Sequence, residues 1–266
     1  MQPGGRRAGD PGRRGPGPLP VQGVGLTAPE ALPPAPAGIE VVGVDADDTL
    51  WHNETYFAEA AATFAEILAP WAPDGEDVRA RNDATERRNL ELFGYGIKGF
   101  TLSMIETAVE VSDGQVSGEA VGRLLELGRE MLAHPVDLLD GVADALARLA
   151  ERHRLVLVTK GDLIHQEQKI ARSGLVELFE RIEVVSEKDE ATYAAVIDRM
   201  SVAPERFCMV GNSVRSDVLP VLALGGHAVQ VPYEITWSHE QVPEADGGFP
   251  VLGSLGELAD WLASAR

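Results

Sequence analysis

The chain reads as an α/β protein, a Rossmann-like parallel sheet core with helices on both faces that carries an inserted all-helical cap. Three observations predict this. Short apolar runs recur along the chain, most of them separated by helix-period patterns. The interval between the first two runs is far longer than the dozen or so residues that a crossover needs. The first run, residues 39–44 (IEVVGV), stops in three carboxylates, Asp45, Asp47 and Asp48.

Taken in order, the apolar runs after residues 39–44 are Leu155–Val158, Ile182–Val185, Phe207–Val210 and Ala228–Val231. Each is short, rich in branched or aromatic residues and compatible with a strand buried on both faces. The segments Asp140–Arg152, Leu163–Ser173, Asp189–Met200, Arg215–Leu224 and Ser254–Ala265 place apolar residues three and four apart, as helices packed on a sheet do. Gly141, Gly161, Gly174 and Gly225 fall at the junctions. The long interval predicts four further helices, Thr55–Leu68, Glu76–Phe93, Leu102–Val111 and Ser117–Leu132, with Pro70, Pro73, Gly94, Gly96, Gly99 and Gly114 between them. The expected organisation is a core over 39–54 and 136–266 and a cap over 55–135. A cap at that edge of the sheet stands over the ligand site.

Residues 1–38 are dominated by glycine and proline and lack core-building side chains, which predicts a disordered tail. Arg6-Arg7 and Arg13-Arg14 suggest export, but no apolar segment follows them, and an upstream start site explains the stretch equally well. The 266 residues carry a formal charge of −19, which argues against nucleic acid as a partner. No apolar stretch approaches the roughly 20 residues of a membrane span. Cys208, the only cysteine, excludes an intramolecular disulfide and a cysteine-based zinc site, and the expected setting is a reducing cytoplasm. Either a monomer or a homodimer is compatible with the sequence.

Ligands of open α/β sheets gather beyond the carboxyl ends of the strands. Asp45, Asp47 and Asp48 belong there, and so much negative charge calls for a cation or a shared proton. An acidic turn capping the next helix is the competing reading of the same residues. Later strand ends add Thr159-Lys160-Gly161-Asp162, then Ser186-Glu187-Lys188, then residues 211–217 (GNSVRSD). The four groups, in this order, resemble the haloacid dehalogenase superfamily, most closely its phosphatase-like members with a helical cap after the first strand. The likeness runs from about Ile39 to about Pro232.

The resemblance implies Mg²⁺-dependent hydrolysis of a small phosphorylated metabolite. Asp45 would be the nucleophile that forms an aspartyl-phosphate, and Asp47 the general acid/base. Thr159 and Lys188 would hold the phosphoryl group; from their positions alone, Lys160, Gly161 and the cap residue Lys98 are expected as further phosphate or substrate contacts. Asp45, Asp47 through its carbonyl, and Asn212 or Asp217 would hold the metal. The chemistry suits these residue types, because a carboxylate nucleophile splits hydrolysis into two steps and Mg²⁺ takes oxygen ligands. Many relatives have Asp at the position of Asn212, a substitution expected to alter metal affinity without abolishing binding. Asp48 stands where glycine is frequent and is expected to be tolerated there without a catalytic role.

Lone features have plainer readings. His52, His134, His165 and His239 lack metal-ligand spacing and read as surface or capping residues; Cys208 reads as a core thiol. Lys160 either faces substrate or offsets nearby acids. Residues 94–100 (GYGIKGF) form either a helix connection or a mobile loop that reads the leaving group. Trp51, Tyr56 and Phe57 either pack the hinge or wall the site. The alternative activities are a dehalogenase, which has no use for Asp47, a phosphomutase, a phosphonatase using Lys98, and a catalytically weak phosphate-binding protein. A receiver domain would lack the insert.

Overall fold

The computed structural model describes residues 32–235, 237, 240 and 248–265. Most of the tail and His239 lie outside the described residues. Residues 33–38, read as part of the tail, rest on the core: the Trp261 indole donates to the Pro33 carbonyl at 2.8 Å, and Ala35 packs on the apolar cluster.

Five strands, β1 (Val41–Val44), β2 (Arg154–Lys160), β3 (Arg181–Val185), β4 (Phe207–Gly211) and β5 (His227–Gln230), form one parallel sheet in the order β3-β2-β1-β4-β5. The fully buried β1 lies at the centre, between β2 and β4. Its side chains alternate between two cores. Val42 and Val44 face Leu155, Leu157, Cys208 and Val210, while Val41 faces Val156, Val158, Phe207 and Met209. Helices α5 (Val142–Ala150) and α9 (Leu255–Ala263) contribute Leu146, Leu149, Leu258 and Leu262 to the first core. Helix α7 (Glu190–Arg199) and α8 (Leu219–Ala223) contribute Tyr193, Val196, Ile197 and Val221 to the second. Helix α6 (Leu163–Ser173) follows β2.

Between β1 and α5 stand α1 (Glu54–Leu68), α2 (Val78–Phe93), α3 (Ile97–Val111) and α4 (Gly118–Ala133). They enclose their own core, including Phe64, Leu68, Phe100, Met104 and Leu124. The chain enters and leaves this insert through paired backbone: the His52 N–H donates to Asp137 O at 3.0 Å and the Leu139 N–H to Leu50 O at 2.9 Å.

Two elements differ from expectation. Helix α3 starts at Ile97 instead of Leu102, because burying Ile97 and Phe100 outweighs the cost of about 1 kcal/mol for Gly99 in a helix. Where one helix was expected over Arg215–Leu224, a π-helical turn, Val214–Val218, precedes α8. Such turns recur at functional sites. Among the described residues, no helix is long and apolar enough to cross a membrane.

Candidate active site

The carboxyl ends of β1, β2 and β4 converge beneath the insert on a cavity of about 240 Å³. The Asp45 N–H donates to Val210 O at 2.9 Å, which continues the β1–β4 ladder and fixes that side chain at the sheet edge. Asp45, Asp47, Asp48, Thr159, Lys160, Gly161, Lys188, Asn212 and Asp217 all line this space.

Lys188 lies between two carboxylates, donating to Asp45 Oδ1 and, at 2.7 Å, to Asp217 Oδ1. Thr49 Oγ1 donates to the other Asp45 oxygen at 2.9 Å, and the Ser213 N–H to Asp217 Oδ2 at 3.0 Å. All three charged groups are buried. A Cβ on Gly211 would stand 2.2 Å from Asp217 Oδ2, so only glycine lets this carboxylate lie against the end of β4. Burial raises the Asp45 carboxyl above the usual range; Lys188 opposes the shift and Asp217 adds to it. Burial alone would lower the Lys188 ammonium, but Asp217 and Asp45 outweigh it and raise it.

Asp47 has a separate set of partners. It accepts from Trp51 Nε1 at 2.6 Å, Lys169 Nζ at 2.5 Å and Gln166 Nε2 at 2.7 Å. Burial favours its neutral form, yet Lys169 and these hydrogen bonds prevail and hold it below the ordinary value. Gln166 and Lys169 lie one turn apart on α6, facing the site. Sequence reading missed both: polar residues on an amphipathic helix look like its solvated face.

Asp48 takes φ 62°, a left-handed conformation of the kind that favours glycine. It is also a cap. Its carboxylate accepts from the Asn53 and Glu54 N–H groups, each at 2.9 Å, at the start of α1. The expectation of a tolerated turn residue gains a physical reason: the buried carboxylate satisfies donors that the helix leaves open. Both competing readings of the acidic run hold in part: all three carboxylates line the cavity, and Asp48 in addition caps α1.

Lys160 is held by Glu240, by Ser216 Oγ at 3.0 Å, and over the Tyr95 ring at 4.4 Å from its centre. Burial would raise the Glu240 carboxyl, but Lys160 with Ser213 and Ser216 brings it down to about 2. Of the two readings of Lys160, offsetting acids is the one its contacts match. Lys98 is not among the lining residues; the Asp162 carboxylate holds it at 2.9 Å on a half-exposed surface. The segment 94–100 is both connection and wall. Tyr95, Gly96, Ile97 and Phe100 line the cavity, Tyr95 donates to Glu187 Oε2 at 2.7 Å, and Gly96 (φ 103°) passes so near Asp162 that a Cβ would meet its backbone nitrogen at 3.4 Å. His165 departs from its surface reading: it is buried, lines the cavity and is pushed down to about 4 by burial and by Lys169. Trp51 packs the hinge, and Phe57 forms wall.

Asp45, Asp217, the Asn212 side-chain amide and the Asp47 carbonyl offer oxygen donors for a hard cation. One lysine between two buried carboxylates leaves an excess negative charge, which suits a divalent ion. Among the described residues no three His, Cys, Asp or Glu side chains form a ready metal cage. An ion here would draw on amide, backbone, water and substrate oxygens, the coordination habit of Mg²⁺.

The model of the haloacid dehalogenase-like hydrolases matches residues 39–225. A glyceraldehyde 3-phosphate phosphatase from Methanothermobacter thermautotrophicus is 31% identical over 116 residues, 41% of this chain and 51% of that protein, so the chain matches about half the length of this relative. Among solved structures, a haloacid dehalogenase-like hydrolase from Xanthomonas campestris is 43% identical, with TM-score 0.75 over 85% of this chain and 96% of the other. YfnB from Bacillus subtilis, described as bound to magnesium, shares the fold at 18% identity, with TM-score 0.59 over 84% of this chain and 98% of its own. The matched span takes in β1–β4 and the cavity-lining residues that follow them through Asp217, and the chain is a hydrolase that belongs to the haloacid dehalogenase-like family.

Proposed function

We propose that the protein hydrolyses a small phosphate monoester with Asp45 as nucleophile, Asp47 as proton carrier and Mg²⁺ as cofactor. The observation that carries this reading is the pairing of two cavity-lining carboxylates in separate environments, Asp45 on Lys188 and Asp47 on Lys169. A dehalogenase has no use for the second carboxylate. The phosphatase relative supports the same choice.

An Asp45 oxygen attacks phosphorus, the bond from phosphorus to the ester oxygen breaks, and that oxygen leaves with its electron pair and a proton from Asp47. Asp47 then takes a proton from water as the water oxygen attacks the aspartyl-phosphate. The bond to Asp45 breaks and inorganic phosphate departs. Asp47 begins ionised beside Lys169, and the negative phosphoryl group entering next to it favours the protonated form that the first step needs. Lys188 and the Thr159 hydroxyl offset charge on the phosphoryl oxygens. Mg²⁺, when bound, would supply further charge neutralisation at these oxygens. Lys98, tied to Asp162, lends no support to a lysine-dependent phosphonatase.

A panel of phosphate esters that includes glyceraldehyde 3-phosphate, assayed for phosphate release with Mg²⁺, with EDTA and with Asp45→Asn, tests this. Release that requires both Mg²⁺ and Asp45 is expected. Absence of release from every ester overturns it.

A further inference from the structure

The insert's wall of the cavity carries carboxylates that the proposed chemistry does not use. Glu86, on α2, is 8% exposed and lines the cavity, and among the described residues it has no hydrogen-bond or ion-pair partner. Glu54, in the first turn of α1, also lines it, and its Oε2 is out of solvent with no hydrogen-bond partner. Asp83 stands one turn before Glu86 and completes the group. Burial pushes Glu86 up to about 7, with Asp83 adding and the exposed Arg87 only partly opposing. Burial likewise pushes Glu54 up to about 8, and Asp48 and Glu86 add to it.

A largely buried carboxylate with no protein partner is costly, and a ligand entering the cavity can supply that partner. No three of these groups come together as a metal cage. Phe57, Ala58, Ala61 and Phe100 line the cavity alongside them, surfaces suited to an alkyl chain. A hydroxyl would satisfy hydrogen bonds while leaving the excess negative charge buried; an ammonium discharges it. We infer that the leaving group of the substrate is a short alkyl chain bearing an ammonium, received by Glu86 and Glu54 while its phosphate lies at Asp45. This rests on the phosphomonoesterase reading and names the class of its substrate.

Calorimetry at pH 8 with three phosphonates of equal reach, 3-aminopropyl, 3-hydroxypropyl and n-butyl, tests it in the Mg²⁺-loaded protein. The aminopropyl compound is expected to bind at least about tenfold more tightly than either of the others. In Glu86→Gln and in Glu54→Gln this ratio is expected to fall toward one. Tight binding of all three without ammonium preference overturns this proposal alone, as does a ratio that both variants leave unchanged. Binding by none of them removes the phosphate-site reading and this proposal with it.

Discussion

The two walls of the cavity treat buried negative charge in opposite ways. On the sheet side each carboxylate of the proposed chemistry has a cation, Lys188 beside Asp45 and Asp217 and Lys169 beside Asp47, while Asp48 is held by backbone N–H groups. On the insert side Glu54 and Glu86 have none. A compensated group is fixed before substrate arrives, which suits atoms that must react along a set path. An uncompensated group lowers stability until a ligand pairs it, which suits recognition. On the proposed reading, reaction chemistry and selectivity are separated across one space.

The contrast can be broken from either side. Asp45→Asn is expected to lower phosphate release at least about 10³-fold, with a melting curve that still shows one cooperative transition, since Lys188 retains Asp217. A variant that keeps more than a tenth of the activity would remove Asp45 from the reaction. Lys188→Ala, which strands two buried carboxylates, is expected to cost about 3–5 kcal/mol in urea unfolding. A loss below 1 kcal/mol would mean that the sheet-side charges are not compensated by this lysine.

On the other wall the sign reverses. Glu86 titrates at about 7 in the folded protein against 4.5 ordinarily. The folded state therefore holds the proton more tightly than the unfolded chain. The resulting stability is full below 4.5 and is lost as pH rises through 7. Glu86→Gln is accordingly expected to stabilise the ligand-free protein by about 1–3 kcal/mol at pH 8 and by little at pH 4.5. Equal effects at the two pH values would sink the account of an unpaired carboxylate. The smallest effect concerns Asp48. Asp48→Ala is expected to cost about 1–2 kcal/mol, through the lost cap and the left-handed backbone, and Asp48→Gly only a few tenths. Equal losses would mean that the cap alone matters there.

The sheet-side wall was legible because its residues sit at fixed offsets from apolar runs, and a parallel sheet brings strand ends together whatever lies between them. Asp45, Thr159, Lys188 and Asp217 could be read in that way. Gln166, Lys169 and Glu240 could not. They reach the site from a helix and from a segment without periodicity, and nothing local distinguishes a polar side chain turned inward from one turned out. Glu54 and Glu86 were hidden for the same reason, since glutamate in a charged helix is ordinarily solvated. The start of α3 was misplaced because glycines signalled a loop where tertiary burial imposed a helix.

Trp51 ties these regions together. Its backbone pairs with Leu138, where the two linkers of the insert run side by side, and its indole holds the proposed proton carrier, Asp47. A tilt of the helical insert about this joint would pull on that hydrogen bond before it disturbed any strand. With the other three tryptophans of the chain replaced, the emission of this indole would report, in one signal, the posture of the insert and the grip on the carboxylate beneath it.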